Sequence, residues 1–223
     1  MADARMNPTK ALSSPQWRRA LPASLPYLLL LLGLILLLLH HRTVLPDREI
    51  SLLLSRLPAP FFYVWSVLCR SGNVEIELPV LLVAGGFLWR RRERERPVLM
   101  AFLVVLVLGT LLEHLLKMNL PRYAPPEEFQ HDPLTGWEIF FPAHFHVRSS
   151  FPSGHTFRVL LILLFVDRYF PRLRPAVLVW ALLIMAGVVA LGWHWSSDVL
   201  GSLLLVLFLR PWLDTLGKSI KKS

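Results

Sequence analysis

The string at 152–155, 'PSGH', brings a hydroxyl, a glycine and an imidazole to a point where a helix can begin. Proline suits a first helical position, glycine permits close backbone approach, and the unpaired amides of a first turn attract an anion of phosphate size. Taken alone, a capped helix with an interfacial histidine accounts for the string equally well. Further along, His194 and Asp198 stand four residues apart in 'HWSSD', a spacing that places them on one face of a helix. A carboxylate on one ring nitrogen fixes the tautomer and leaves the other nitrogen as a directed nucleophile or base. Taken alone, a histidine pinned for packing between Trp193 and Trp195 is the better account of this pair.

The elements that must position these groups are membrane spans. Windows 21–39, 98–116 and 176–193 are apolar over nearly the 20 residues that cross a bilayer. Windows 78–89, 159–166 and 199–209 are shorter. They reach spanning length if the polar residues before them join the helix, which a span facing protein or water at one end can carry. The expectation is an all-α, polytopic bundle of six spans, with a segment 1–20 before it, the bundle over 21–213, and a basic tail over 214–223. The first span lacks a small-x-small cleavage site and is read as retained. 'REISLLLSRL' (48–57) has an apolar face and charged ends, so it is expected to lie on the outer membrane surface. The Pro- and aromatic-rich stretch 118–152 is read as a long outer loop.

Composition supports this assignment. The 223 residues carry 24 Lys+Arg against 15 Asp+Glu, a net charge of +9, and yet 54% are hydrophobic. A soluble nucleic-acid binder would spread its charge over a solvated surface, whereas here it is compressed between apolar runs, so no nucleic-acid partner is expected. Disorder is excluded for the same reason. With the N-terminus inside, sixteen of the basic residues fall on the inner side and seven on the outer, with Arg158 left within a span. That bias satisfies the positive-inside rule and brings Lys117, 'PSGH' and 'HWSSD' to the outer end of the bundle. The 'RRRERER' run is then a topology signal, and the single Cys69 can form no internal disulfide.

With Lys117 closing the third span, the motifs together resemble the type 2 phosphatidic acid phosphatase family, whose pattern runs Lys-x6-Arg-Pro, Pro-Ser-Gly-His, Ser-Arg-x5-His-x3-Asp. Here they read 'KMNLPRYAP' (117–125), 'PSGH' (152–155) and 'GVVALGWHWSSD' (187–198). The resemblance implies that His194 attacks phosphorus to form a phosphohistidine and that Asp198 orients it. It implies that His155 protonates the leaving oxygen and later activates water, and that Lys117, Ser153 and the Gly154 amide hold the phosphate oxygens. It implies no metal and no other cofactor. Two positions depart from the pattern: Ala124 and Val188 stand where the family has arginine. Losing one donor to transition-state charge costs about 10²–10³ in rate, so other arginines are expected to substitute. Arg122 and Arg148 lie near the motifs, and Arg158 lies three residues after His155 on the same helical face. An arginine at membrane depth calls for an anionic partner. Arg158 is therefore the first choice to replace the guanidinium missing at Val188, the alternative being a structural pairing with Asp198 or Glu113.

The function expected is hydrolysis of a terminal phosphate from a lipid phosphate or diphosphate in a bacterial inner membrane, with both termini inside. Undecaprenyl pyrophosphate, phosphatidylglycerophosphate, phosphatidate and the lipid A phosphates are the substrates considered, with headgroup selection assigned to Phe129, Trp137, Phe140, Phe141 and Phe145. The alternative is a non-catalytic phospholipid binder or transporter that keeps the fold around an altered anion site. Glu113 and Lys117, four apart, are expected to pair. His131, His144 and His146 lack ligand-like spacing to a further group and are read as structural rather than as a metal site.

Overall fold

The computed structural model describes residues 17–120, 122–134 and 149–220. Among them are eight helices and no strand: α1 (Trp17–Leu39), α2 (Val44–Ser55), α3 (Ala59–Ser71), α4 (Val74–Arg91), α5 (Arg96–Asn119), α6 (Gly154–Tyr169), α7 (Arg174–Ala190) and α8 (Ser196–Ile220). Four stretches are long and apolar enough to cross a membrane: Ala20–Leu39, Glu93–Asn119, Pro171–Ala190 and Ser196–Thr215. Their outward surfaces carry exposed Leu, Val and Met, as helices facing hydrocarbon should. The protein is an integral membrane protein.

The helix expected to follow window 78–89 is α4, which begins at Val74 and carries Glu75 and Glu77 in its first turn. The helix around window 159–166 is α6, only 16 residues long. Neither passes the length and apolarity criterion alone. The stretch 48–57 does not lie alone on a surface either. It belongs to α2, which bends by 114° into α3, and the two together are apolar enough for a broken span or a re-entrant loop. Sequence reading missed α3 altogether. Proline in its first turn and an apolar run to Cys69 build it, and it packs on α7 through Phe62 and Cys69.

Burial explains why α6 can be short. Phe157, Leu160 and Leu161 join a core with Leu31, Leu34 and Leu38 of α1 and Leu204 and Leu205 of α8. Val159 joins Ile184, Val188 and Val189 of α7, while Phe165 and Tyr169 meet Leu88 of α4 and Leu99 of α5. A helix apolar on every side must be surrounded by other helices. Because α6 is enclosed, its starting residues, Gly154 and His155, are presented to the ends of α4, α5 and α8 rather than to lipid.

Small residues set the spacing. A Cβ on Gly109 of α5 would overlap the ring of the fully buried Phe157, and one on Gly201 of α8 would overlap the ring of Phe151, just before 'PSGH'. Gly33 of α1 has nothing within 4 Å of its Cβ position. Gly109→Ala is expected to destabilise by about 1–3 kcal/mol through overpacking, whereas Gly33→Ala should be neutral or stabilising by up to about 1 kcal/mol. Thermal unfolding of the two variants in one detergent checks this; equal midpoints would show that the α5–α6 contact is not tight.

Candidate active site

The structure brings 'PSGH' and 'HWSSD' together through the backbone. The Ser153 amide donates to the Asp198 carbonyl at 3.1 Å, and Ser202 Oγ donates to the Ser153 carbonyl at 2.7 Å. Ser153 is the N-cap of α6, its Oγ accepting from the Thr156 amide at 3.4 Å. Gly154 opens the helix against the Glu113 carboxylate, and a Cβ there would overlap it and stand 2.9 Å from Arg158 Nη1. Only glycine allows α5 to come this close.

His194 does not ride on a helix, since α8 starts at Ser196. It sits in the turn after α7, where the Trp193 and His194 amides both donate to the Val188 carbonyl at 3.0 Å. Gly192 makes the turn with φ +73°, in the left-handed region, pressed against the Phe129 carbonyl. Asp198, with 0% exposure, accepts from the Trp195 amide at 2.9 Å, and its Oδ2 lies 3.5 Å from His194 Nδ1. That separation is long for a hydrogen bond. Nδ1 faces the carboxylate, so Nε2 is the nitrogen left for chemistry. The His155 and His194 ring centroids are 6.2 Å apart, and Asn73 Oδ1 lies 2.8 Å from His155 Nε2.

Among the described residues, Lys117, Arg158 and Arg122 are each engaged by a carboxylate. Lys117 Nζ donates to Glu113 Oε1 at 2.7 Å, the i,i+4 pair read from the sequence. Arg158 Nε donates to Glu77 Oε2 at 2.9 Å, and its Nη1 stands 3.8 Å from Glu113 Oε2. Its main partner is thus Glu77, which sequence reading did not consider; Asp198 is not a partner. Two carboxylates at the depth of a span would have been the signal for it. Arg122 pairs with the buried Asp47 of α2 and reaches Ser197 Oγ at 3.2 Å. Asp47 also accepts from the Ser197 amide at 2.8 Å, capping α8 from outside the motifs. Arg148 lies outside the described residues, as do Trp137, Phe140, Phe141, Phe145, His144 and His146. Phe129 is buried and packs edge-on to Trp195. His131 does not sit in an untethered loop: its amide donates to the Leu191 carbonyl at 3.1 Å and its ring stacks on Phe62.

A model of the PAP2 superfamily matches residues 98–213. The chain belongs to the PAP2 superfamily. The match spans Lys117, 'PSGH' and 'HWSSD', the residues that meet at this end of the bundle. The fold is also that of a crystal structure described as the first transmembrane PAP2 type phosphatidylglycerolphosphate phosphatase from Bacillus subtilis. The TM-score is 0.69 at 23% identity, over 88% of this chain and 96% of that one. No curated protein sequence matches. This PAP2 protein differs from the superfamily motifs where α3 comes in. A Cβ on Gly187 would stand 2.6 Å from Cys69 Sγ, and Val188 is fully buried in the cluster that holds Phe62 and Cys69 of α3.

One further arginine, Arg70 of α3, holds the loop after α5. It donates to Asp132 Oδ2 at 3.0 Å and to the Leu134 carbonyl at 2.6 Å, and its guanidinium lies 5.6 Å from the Trp193 ring centroid. Burial pushes the Asp132 carboxyl up, but hydrogen bonds from Arg70, Ser66 and the Leu134 amide outweigh it and hold the group below its ordinary value. A depressed carboxylate contributes stability that is present above its unfolded value, about 3.9, and lost as pH falls through the folded one. Asp132→Asn should therefore lower stability at neutral pH and flatten its fall below about pH 4. Unfolding midpoints against pH check this; parallel wild-type and variant curves would show that the Arg70–Asp132 pair contributes nothing.

Proposed function

We propose that this PAP2 protein removes a terminal phosphate from a lipid phosphate or diphosphate through a phosphohistidine on His194. The observation that carries the reading is the convergence of His194, Asp198 and His155 with the Lys117–Glu113–Arg158 cluster at the start of α6. His194 Nε2 would attack phosphorus in line with the leaving oxygen, with the imidazolium that forms stabilised by Asp198 on Nδ1. His155 would give its proton to the leaving oxygen and then take one from the water that cleaves the phosphorus–nitrogen bond. Ser153, the Gly154 amide, Lys117 and Arg158 would hold the phosphate oxygens, with Arg158 supplying the guanidinium missing at Val188. Arg122 and Arg148 would contribute from the outer loop. No step in this scheme calls for a metal. The bundle would cross the membrane six times, with α4 and α6 sheltered by neighbours, both termini inside and the site at the outer face of a bacterial inner membrane.

Phosphatidylglycerophosphate, for which the similar Bacillus subtilis phosphatase is named, joins undecaprenyl pyrophosphate, phosphatidate and lipid A phosphates in the substrate panel. A second reading, a non-catalytic phospholipid binder, draws support from one feature. Lys117, Arg158 and Arg122 already carry carboxylate partners, which a phosphate would have to displace or share.

Purified protein in detergent is expected to release inorganic phosphate from at least one lipid of that panel, and His194→Ala to abolish the release. Lipid binding without turnover on the whole panel would favour the second reading. Removing the Arg158 guanidinium should cost about 10²-fold in rate. Because Arg158→Ala strands Glu77, the double variant Arg158→Gln with Glu77→Gln is the cleaner test, leaving no unpaired buried charge. Phosphate release near the wild-type rate in that double variant would show that Arg158 only neutralises Glu77.

A further inference from the structure

Asn73 stands at the N-cap of α4, where its side chain would ordinarily accept a hydrogen bond from the first turn. It makes no such bond. The side chain, 3% exposed, instead turns across to α6 and places Oδ1 2.8 Å from His155 Nε2. Its main chain is fixed on both sides: the amide donates to the Arg70 carbonyl at 3.1 Å, and its carbonyl accepts from the Ile76 and Glu77 amides at 3.0 Å. Gly72 lies along the imidazole edge, its Cβ position 3.5 Å from His155 Cδ2, and the Trp193 ring covers a face at 5.5 Å between centroids. The α3–α4 junction thus forms a rigid wall behind His155.

We propose that Asn73 is a positioning residue that assigns the transferable proton of His155 to Nδ1; the proposal rests on His155 being the acid and base of the phosphatase reading. An amide carbonyl oxygen only accepts, so Nε2 must carry a hydrogen in both the neutral ring and the imidazolium. Nε2 is then unavailable for the reaction. In the first half-reaction Nδ1–H gives its proton to the leaving oxygen as the phosphorus–oxygen bond breaks and the electron pair moves onto that oxygen. In the second half Nδ1 takes a proton from the attacking water as the phosphorus–nitrogen bond to His194 breaks and its electron pair returns to the ring. Asn73 keeps its hydrogen bond throughout. A neutral acceptor suits this duty, because a carboxylate there would hold the proton too firmly for it to be given.

Among the described residues, the charged groups near this end of α6 are Glu77 of α4, Glu113 and Lys117 of α5, Arg158 of α6 itself, Arg70 of α3, and His194 and Asp198 between α7 and α8. Glu77, Glu113, Lys117 and Arg158 pair among themselves, Arg70 pairs with Asp132, and Asp198 faces His194. The Asn73 side chain reaches His155 directly.

The test uses the full chain with Asn73→Ser and Asn73→Asp, both of which retain a residue competent to cap α4. Serine is too short to span the gap to His155, and aspartate keeps the acceptor and adds charge. For Asn73→Ser, kcat should fall about 10-fold or more with KM within about 3-fold. A general acid must be protonated to act, so the high-pH limb of the rate profile should move to lower pH in Asn73→Ser. In Asn73→Asp it should move to higher pH, by about 1–3 units. Unchanged kcat and an unmoved high-pH limb in Asn73→Ser, or changes confined to KM in both variants, would reduce Asn73 to a packing residue. If Asn73→Ser fails to fold, an unmoved limb in Asn73→Asp decides against the proposal in the same way. The ¹⁵N shifts of histidine-labelled protein read the tautomer without turnover. An Nε2–H ring on His155 that loses its preference in Asn73→Ser supports the proposal, and an Nδ1–H ring in the wild type overturns it. Wild-type activity in His155→Gln would instead strike the acid–base role of His155, and absence of turnover in the wild type the phosphatase reading, with the tautomer measurement still deciding on Asn73.

Discussion

Asp198 has no contact with solvent, and its main chain and its Oδ2 are engaged, while Oδ1 is buried without a hydrogen-bond partner. Its carbonyl takes the Ser153 amide and its carboxylate takes the Trp195 amide and faces His194. One residue thereby ties the start of α6 to the start of α8 and aims the imidazole between them. A buried carboxylate is tolerated only where hydrogen bonds and a nearby cation or imidazole replace its water. The helices on either side must hold those partners in place, which the packing of α6 against α1, α5, α7 and α8 does. The short length of α6 and the small residues at Gly109 and Gly201 follow from the same need to keep that end closed.

The charges at the site are organised as pairs that join separate helices. Glu77 of α4 reaches Arg158 of α6, Glu113 of α5 reaches both Arg158 and Lys117, and Asp47 of α2 reaches Arg122 and the first turn of α8. Breaking a buried pair on one side is costly because the other charge is left without water, so these contacts fix helix positions as well as neutralise charge. They also set the terms on which a phosphate could enter. An incoming anion must offer Lys117 and Arg158 more than Glu113 and Glu77 already do.

The helix α3 changes the character of the superfamily motifs. Val188 and Gly187 look like losses when read in a string. In three dimensions Val188 is packed in one cluster with Cys69 and Phe62, and Gly187 leaves room for the Cys69 thiol and Trp65. An arginine side chain at Val188 would have to displace that packing. The chain that fills this space also delivers Asn73 to His155 and Arg70 to Asp132 in the loop after α5.

Composition and periodicity were enough for the all-α membrane class, because long apolar runs admit few other structures in lipid. Local spacing was enough for the Glu113–Lys117 pair and the capped start of α6, because partners three or four residues apart are brought together by the helix itself. Motif order was enough for the family. Other features involve residues far apart in the chain: Arg158 with Glu77, Arg122 with Asp47, His155 with Asn73. Each pairing spans more than 70 residues, and nothing in the local pattern of either partner specifies the other. The same holds for α3, whose apolar face acquires a meaning only when α7 is laid against it. Sequence alone determined which residues could do chemistry and that they would meet in a membrane. The tertiary structure decided which carboxylate holds which cation, because that depends on how helices cross rather than on how residues follow one another.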